Sequence, residues 1–130
     1  MNRTAAAVLA VVTACAALAA CDSTEDSKPA AKAPAYEITH QDTSGNQRRV
    51  TVEVGSTKDL RAVFDDVAGK FTDDAGYFVE INCKSGGTAT VDNRLANGKK
   101  AVGRMGAATT GLDDGKTEYE ALPSATCPAK

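Results

Sequence analysis

Tryptophan is absent from this 130-residue chain, and aromatic side chains are few, with three Phe and three Tyr. A chain of this size buries one modest core, so a single small domain is the expected scale. Basic charge is not in excess: 15 Lys and Arg stand against 17 Asp and Glu, a net −2. That balance argues against a nucleic-acid partner, which requires a basic patch or stripe. Histidine occurs once, at His40, and no Gly-x-Ser-x-Gly elbow is present. A Ser-His-Asp type of hydrolase therefore has little to draw on. Long apolar runs are also missing. The most apolar stretch, residues 5–20, is alanine-rich and interrupted by Thr13, and it falls short of the ~20 strongly apolar residues that span a bilayer.

What the N-terminus does carry is a basic start at Arg3, a short apolar core, and then Leu18-Ala19-Ala20-Cys21. Those proportions match a cleaved secretory signal. With Leu18 three before Cys21 and small residues between, the segment resembles a bacterial lipoprotein signal with its lipobox. The resemblance implies a diacylglyceryl thioether on Cys21, cleavage just before it, and tethering to the outer face of the cell membrane. A thiol is the group nucleophilic enough for that linkage near neutral pH. Two acyl chains anchor stably where a single chain binds only marginally. Residues 1–20 are thus expected to be removed, and residues 21–35, with Pro29 and Pro34, to form a flexible spacer with a reach of roughly 20 Å.

Four cysteines then sort by position. Cys15 lies in the signal and Cys21 takes the lipid, which leaves Cys83 and Cys127 in an oxidising compartment. They are expected to pair, closing a loop whose chain-entropy contribution is about 4 kcal/mol at the upper end. Two cysteines and one distant His40 are too few for a metal site, and the spacing is not Cys-x-x-Cys. No cofactor or metal is expected.

Residues 36–130 read as one globular domain. Tyr36, Ile38 and His40 share a parity, Asp42 to Asn46 supply turn residues, and Val50, Val52 and Val54 alternate as a half-buried return strand. Ser56 or Thr57 is placed to cap a helix, with Asp59 completing a capping box. Leu60, Val63, Phe64, Val67, Ala68 and Phe71 form its apolar stripe, and Gly76 follows as a breaker. Tyr77 to Cys83 is the strongest strand, with Cys83 on the apolar parity. Thr88 to Asn93 reads as a weaker strand, Asn97-Gly98 as a tight turn, Lys99 to Met105 as a strand, 106–115 as loop, and Thr117 to Leu122 as an edge strand. The order predicts an α+β domain: an antiparallel or mixed sheet of about 4–6 strands with one amphipathic helix (about 57–71) packed on one face. The sheet's second face is then left for solvent or a partner. The run from Tyr77 to Gly115, with Asp92-Asn93-Arg94-Leu95-Ala96-Asn97-Gly98 and Thr110-Gly111-Leu112, resembles small secreted bacterial lipoproteins of uncharacterised role, and this likeness implies no mechanism.

Chemistry-bearing motifs are sparse. The pairs Asp65-Asp66, Asp73-Asp74 and Asp113-Asp114 read as solvated surface, since they lack the spacing of a glycosidase pair or a calcium loop. The glycines at 103, 106, 111 and 115 lack the Gly-Lys-Ser/Thr ending of a phosphate loop and read as turn chemistry. The densest polar cluster is Thr90, Asp92, Asn93 and Arg94, a candidate contact for a ligand or partner. The leading expectation is a non-enzymatic, lipid-anchored extracytoplasmic binding protein whose ligand is a protein, an envelope polymer or a small molecule. The alternatives are a surface inhibitor or exclusion factor directed at a lytic enzyme or phage, and a small cell-wall hydrolase using His40.

Overall fold

The valine alternation predicted for the return strand is realised in β2 (Gln47–Val54), where Val50, Val52 and Val54 are buried. The computed structural model describes residues 32–87, 92–123 and 126–127. The expected signal, Cys21 and the spacer up to residue 31 lie outside them. Among the described residues five strands and two helices follow in the order β1 (Tyr36–Gln41), β2, α1 (Leu60–Ala68), β3 (Ala75–Cys83), β4 (Arg94–Val102), α2 (Gly103–Thr110) and β5 (Thr117–Ala121). The strands form one sheet in chain order, with β2 and β3 parallel and the other neighbours antiparallel. This is the α+β class expected, with a mixed sheet. Parallel neighbours need a long crossover, and α1 supplies it between β2 and β3.

The register sets the core. Val50, Val52 and Val54 lie beside Val79, Ile81 and Cys83, so the apolar parities of both strands meet on one face. Val63, Phe64, Val67 and Ala68 of α1 bury against it. Cys83 is fully buried there and is joined to Cys127 by a disulfide with Cα atoms 5.4 Å apart. The expected pairing is therefore present. It ties the chain beyond β5 to the end of β3.

The helix is shorter than its stripe suggested. Asp59 precedes Leu60 in a left-handed conformation without a side-chain cap, and the Ser56 hydroxyl instead accepts from the Lys58 N–H at 3.2 Å. Gly69 ends the helix, and Phe71, outside it, stacks on Tyr77 with ring centroids 4.3 Å apart. Lys100 Nζ donates to the carbonyls of Ala68 and Phe71 at 2.6 and 3.1 Å, satisfying acceptors that the helix end leaves free.

Three expectations are corrected. Asn97-Gly98 is no turn: β4 runs straight through it. A Cβ on Gly98 would lie 2.2 Å from the Phe64 ring, so the glycine is there to let α1 approach the sheet. Residues 106–115 are not all loop, and the described residues form two helices rather than one, because Gly103–Thr110 form α2. Gly76 does not break a helix. It sits inside β3, where its missing side chain makes room for Thr109 and Thr110. Since Gly76 alternates with buried Tyr77 and pairs with Ala101, α2 covers that corner of the face opposite α1. Of the weaker strand predicted for 88–93, residues 88–91 lie outside the described residues, and Asp92 and Asn93 precede β4 rather than form a strand.

Both sheet edges are blunted against further pairing. A register shift between Ile38 and His40 interrupts β1, and β5 is five residues long with Glu118 and Glu120 exposed. Bulges, shortness and charge are common protections of an edge strand. Among the described residues no helix is long and apolar enough to cross a membrane.

Candidate functional site

The face opposite α1 is polar because strand parity makes it so. In β3, Phe78, Glu80 and Asn82 alternate with the buried Tyr77, Val79 and Ile81. The register aligns two cross-strand rows on it. Phe78 lies beside Lys99 and Lys99 beside Glu118, while Glu80 lies beside Asn97 and Asn97 beside Glu120. Arg94, at the start of β4, reaches Glu80 with Nη2 to Oε2 at 3.0 Å, and Lys99 Nζ lies 2.9 Å from Glu118 Oε1. Together with Val79 and Gly98, these side chains other than Asn82 line a shallow pocket of about 330 Å³. Phe78 is half-buried and is the aromatic ring of the pocket. The position is left uncovered because α2 occupies only the Gly76–Ala101 corner.

The cluster singled out in the sequence divides in the structure. Asp92 Oδ1 accepts the Arg94 N–H at 2.9 Å, and Asn93 Nδ2 donates to the Cys83 carbonyl at 2.6 Å. Both contacts pin the turn into β4. Arg94 alone of the described members lines the pocket, and Thr90 lies outside the described residues. Arg94 Nε and Asn82 Oδ1 are buried without a hydrogen-bond partner. The neighbours that complete the pocket, Phe78, Glu80, Asn97, Lys99, Glu118 and Glu120, were not picked out in the sequence. One signal was available: a phenylalanine on the polar parity of the strongest strand.

His40 is not on the core side of β1. The register shift puts it opposite Thr51 rather than on the parity of Ile38. Its side chain is 61% exposed, with Nε2 3.1 Å from Asp42 Oδ1. Asp42 is held below the usual carboxylate range first by the Arg49 backbone N–H and then by His40.

The aspartate pairs are exposed but engaged. Asp65 accepts from Arg61, and Asp73 pairs with Arg48 at 2.8 Å. Asp74 Oδ1 accepts the Met105 N–H at 2.8 Å, and Asp114 Oδ1 accepts the Gly103 N–H at 2.7 Å. Asp66 accepts from the Tyr36 hydroxyl and from Lys70 Nζ, the latter at 2.9 Å, joining β1 to α1. The Tyr36 hydroxyl and Lys70 therefore hold Asp66 below its ordinary range. Burial, with the Asp66 bond second, pushes the Tyr36 phenol up.

Among the described residues no group of three or more His, Cys, Asp and Glu is arranged to hold a metal ion. Comparison of the chain with protein-family models, curated proteins and solved structures finds no match in any of the three.

Proposed function

We propose that this chain is a small non-enzymatic binding module, tethered outside the cytoplasmic membrane through lipid on Cys21, that meets its ligand with the sheet face opposite α1. The observation carrying the binding part is the pocket around Phe78, where charged and amide side chains converge on an aromatic ring that the core does not use. Convergent polar groups beside an apolar surface are the usual make-up of a ligand site. Support for the location comes from the Leu18-Ala19-Ala20-Cys21 pattern, and the disulfide between Cys83 and Cys127 is in keeping with an oxidising compartment.

Geometry is consistent with a tether. The spacer would join at Tyr36, which starts β1 at the same sheet end as Val54, Cys83 and Arg94.

Two measurements test the reading. Cys21→Ser is expected to abolish lipid labelling and release the protein from membranes, and unchanged membrane association overturns the anchor. Chemical cross-linking of the intact chain in whole envelopes is expected to trap a partner that Phe78→Leu fails to trap. Equal trapping by both forms overturns the assignment of the face.

A further inference from the structure

We infer that the pocket around Phe78 takes a neutral sugar ring, a residue of a glycan; this rests on the binding-module reading above and names its ligand class. The argument begins with the sorting of hydrogen-bonding groups. Arg94 and Lys99 are donors only, the carboxylates of Glu80, Glu118 and Glu120 are acceptors only, and the Asn97 amide is both. Donors and acceptors are interleaved, since Lys99 sits between Phe78 and Glu118 in one row and Asn97 between Glu80 and Glu120 in the other.

That arrangement selects against charge. An anion would have to displace Glu80 from Arg94 and Glu118 from Lys99, pairs already closed at 3.0 and 2.9 Å. A cation would find Glu120 outside those pairs, but with two fixed positive groups lining the same small pocket. A hydroxyl does neither. It donates to a carboxylate while accepting from the cation beside it, and both ion pairs stay closed. A sugar ring carries several hydroxyls, each able to donate and accept, so more than one of these donor–acceptor pairs can be met at once.

The apolar component agrees. The half-buried Phe78 ring offers a flat surface for the C–H face of a pyranose. The volume of about 330 Å³ lies at the lower end of the ~300–1,000 Å³ typical of small-ligand sites. The pocket is shallow, so both ends of a longer glycan can leave it without passing through the protein.

The test is an NMR titration of the intact ¹⁵N-labelled chain in a non-glycosidic detergent. The probes are the trimer of N-acetylglucosamine and maltotriose, with spermidine and tripolyphosphate as charged controls. At least one saccharide is expected to give saturable shifts at the amides of Phe78, Asn97, Lys99 and Glu118 to Glu120, with millimolar affinity. Phe78→Leu, which keeps apolar bulk and removes the ring, is expected to weaken binding about tenfold with the fold retained in the spectrum. Asn97→Ser is expected to weaken it less. Absence of saturable shifts with both saccharides overturns the inference, as does full affinity in Phe78→Leu. Binding of spermidine or tripolyphosphate alone overturns the sugar chemistry but leaves the face as a binding surface. If cross-linking in envelopes traps a partner equally with Phe78→Leu, the assignment of this face falls as well; if it traps none with either form, the binding-module reading falls.

Discussion

α1 and α2 differ by one residue in length, nine against eight, yet α1 buries four apolar side chains and α2 buries only Gly106 and Thr110. α1 is held by its own stripe: the Phe64 ring fills the space where a Cβ on Gly98 would stand, and its centroid lies 5.6 Å from that of Tyr119. α2 is held by what surrounds it. Asp74, 31 residues away, accepts the Met105 N–H, Asp114 accepts the Gly103 N–H, and Thr110 Oγ1 donates to the Gly106 carbonyl. Its start needs Gly103 at φ 68°, and it ends on Gly111 at φ 75°, backbone that glycine adopts without penalty. One helix is made by apolar periodicity, the other by polar caps and missing side chains. The difference is between burial, which a pattern encodes, and close approach, which it does not.

The largest expected effect lies on α1. Phe64→Ala should destabilise the domain by about 3–5 kcal/mol, read from denaturant unfolding, and a midpoint unchanged from wild type would remove Phe64 from the core. Gly98→Ala should cost about 1–3 kcal/mol by overpacking against the same ring. Shortening the ring in the double variant Phe64→Leu/Gly98→Ala should make the two changes non-additive, since the sites share one contact.

Gly106→Ala separates the two explanations of α2 by sign. Helix propensity alone would stabilise by about 1 kcal/mol. The new Cβ would instead stand 2.5 Å from the Ala75 carbonyl, so a loss of about 1–3 kcal/mol is expected. A gain in thermal stability would mean that α2 does not press on β3. Asp74→Ala is a gentler probe of the same helix, expected to cost about 0.5–2 kcal/mol as a lost cap. Hydrogen exchange should quicken across α2 and stay unchanged in α1; equal quickening in both would show that they open as one unit.

The smallest effect is the pH dependence of the clasp between β1 and α1. Asp66 has a folded-state pKa below its unfolded value because it accepts from Tyr36 and Lys70. Its contribution is therefore present above the ordinary carboxylate range near ~4 and is lost as pH falls below it. Asp66→Asn should lower stability slightly at neutral pH and shrink the further loss between neutral and acid. An acid loss identical to wild type would show that the clasp contributes nothing.

Legibility followed the same division. The valines of β2, the alternation of β3 and the stripe of α1 were readable because each repeats a period that one buried face imposes. Asn97-Gly98 misled because its local turn preference was outweighed by the need for space beneath Phe64. Gly103 to Met105 read as the end of a strand and the segment from Gly106 as loop because their glycines weigh against helix when seen alone. His40 was placed on the wrong side because a one-residue register shift reverses every later parity. Of the candidate pocket only Arg94 was named in advance, and Phe78 stood in plain view on the polar parity.

By itself the sequence determined the α+β class, the core parities of β2 and β3, the α1 stripe and the availability of Cys83 and Cys127 for pairing, because each follows from short-range periodicity or simple counting. Tertiary structure alone decided that β2 and β3 run parallel, that α2 exists, and that Phe78, Asn97 and Glu120 meet on one open face. Those outcomes depend on cross-strand register and on how closely backbones approach, and neither is encoded in any one segment of the chain.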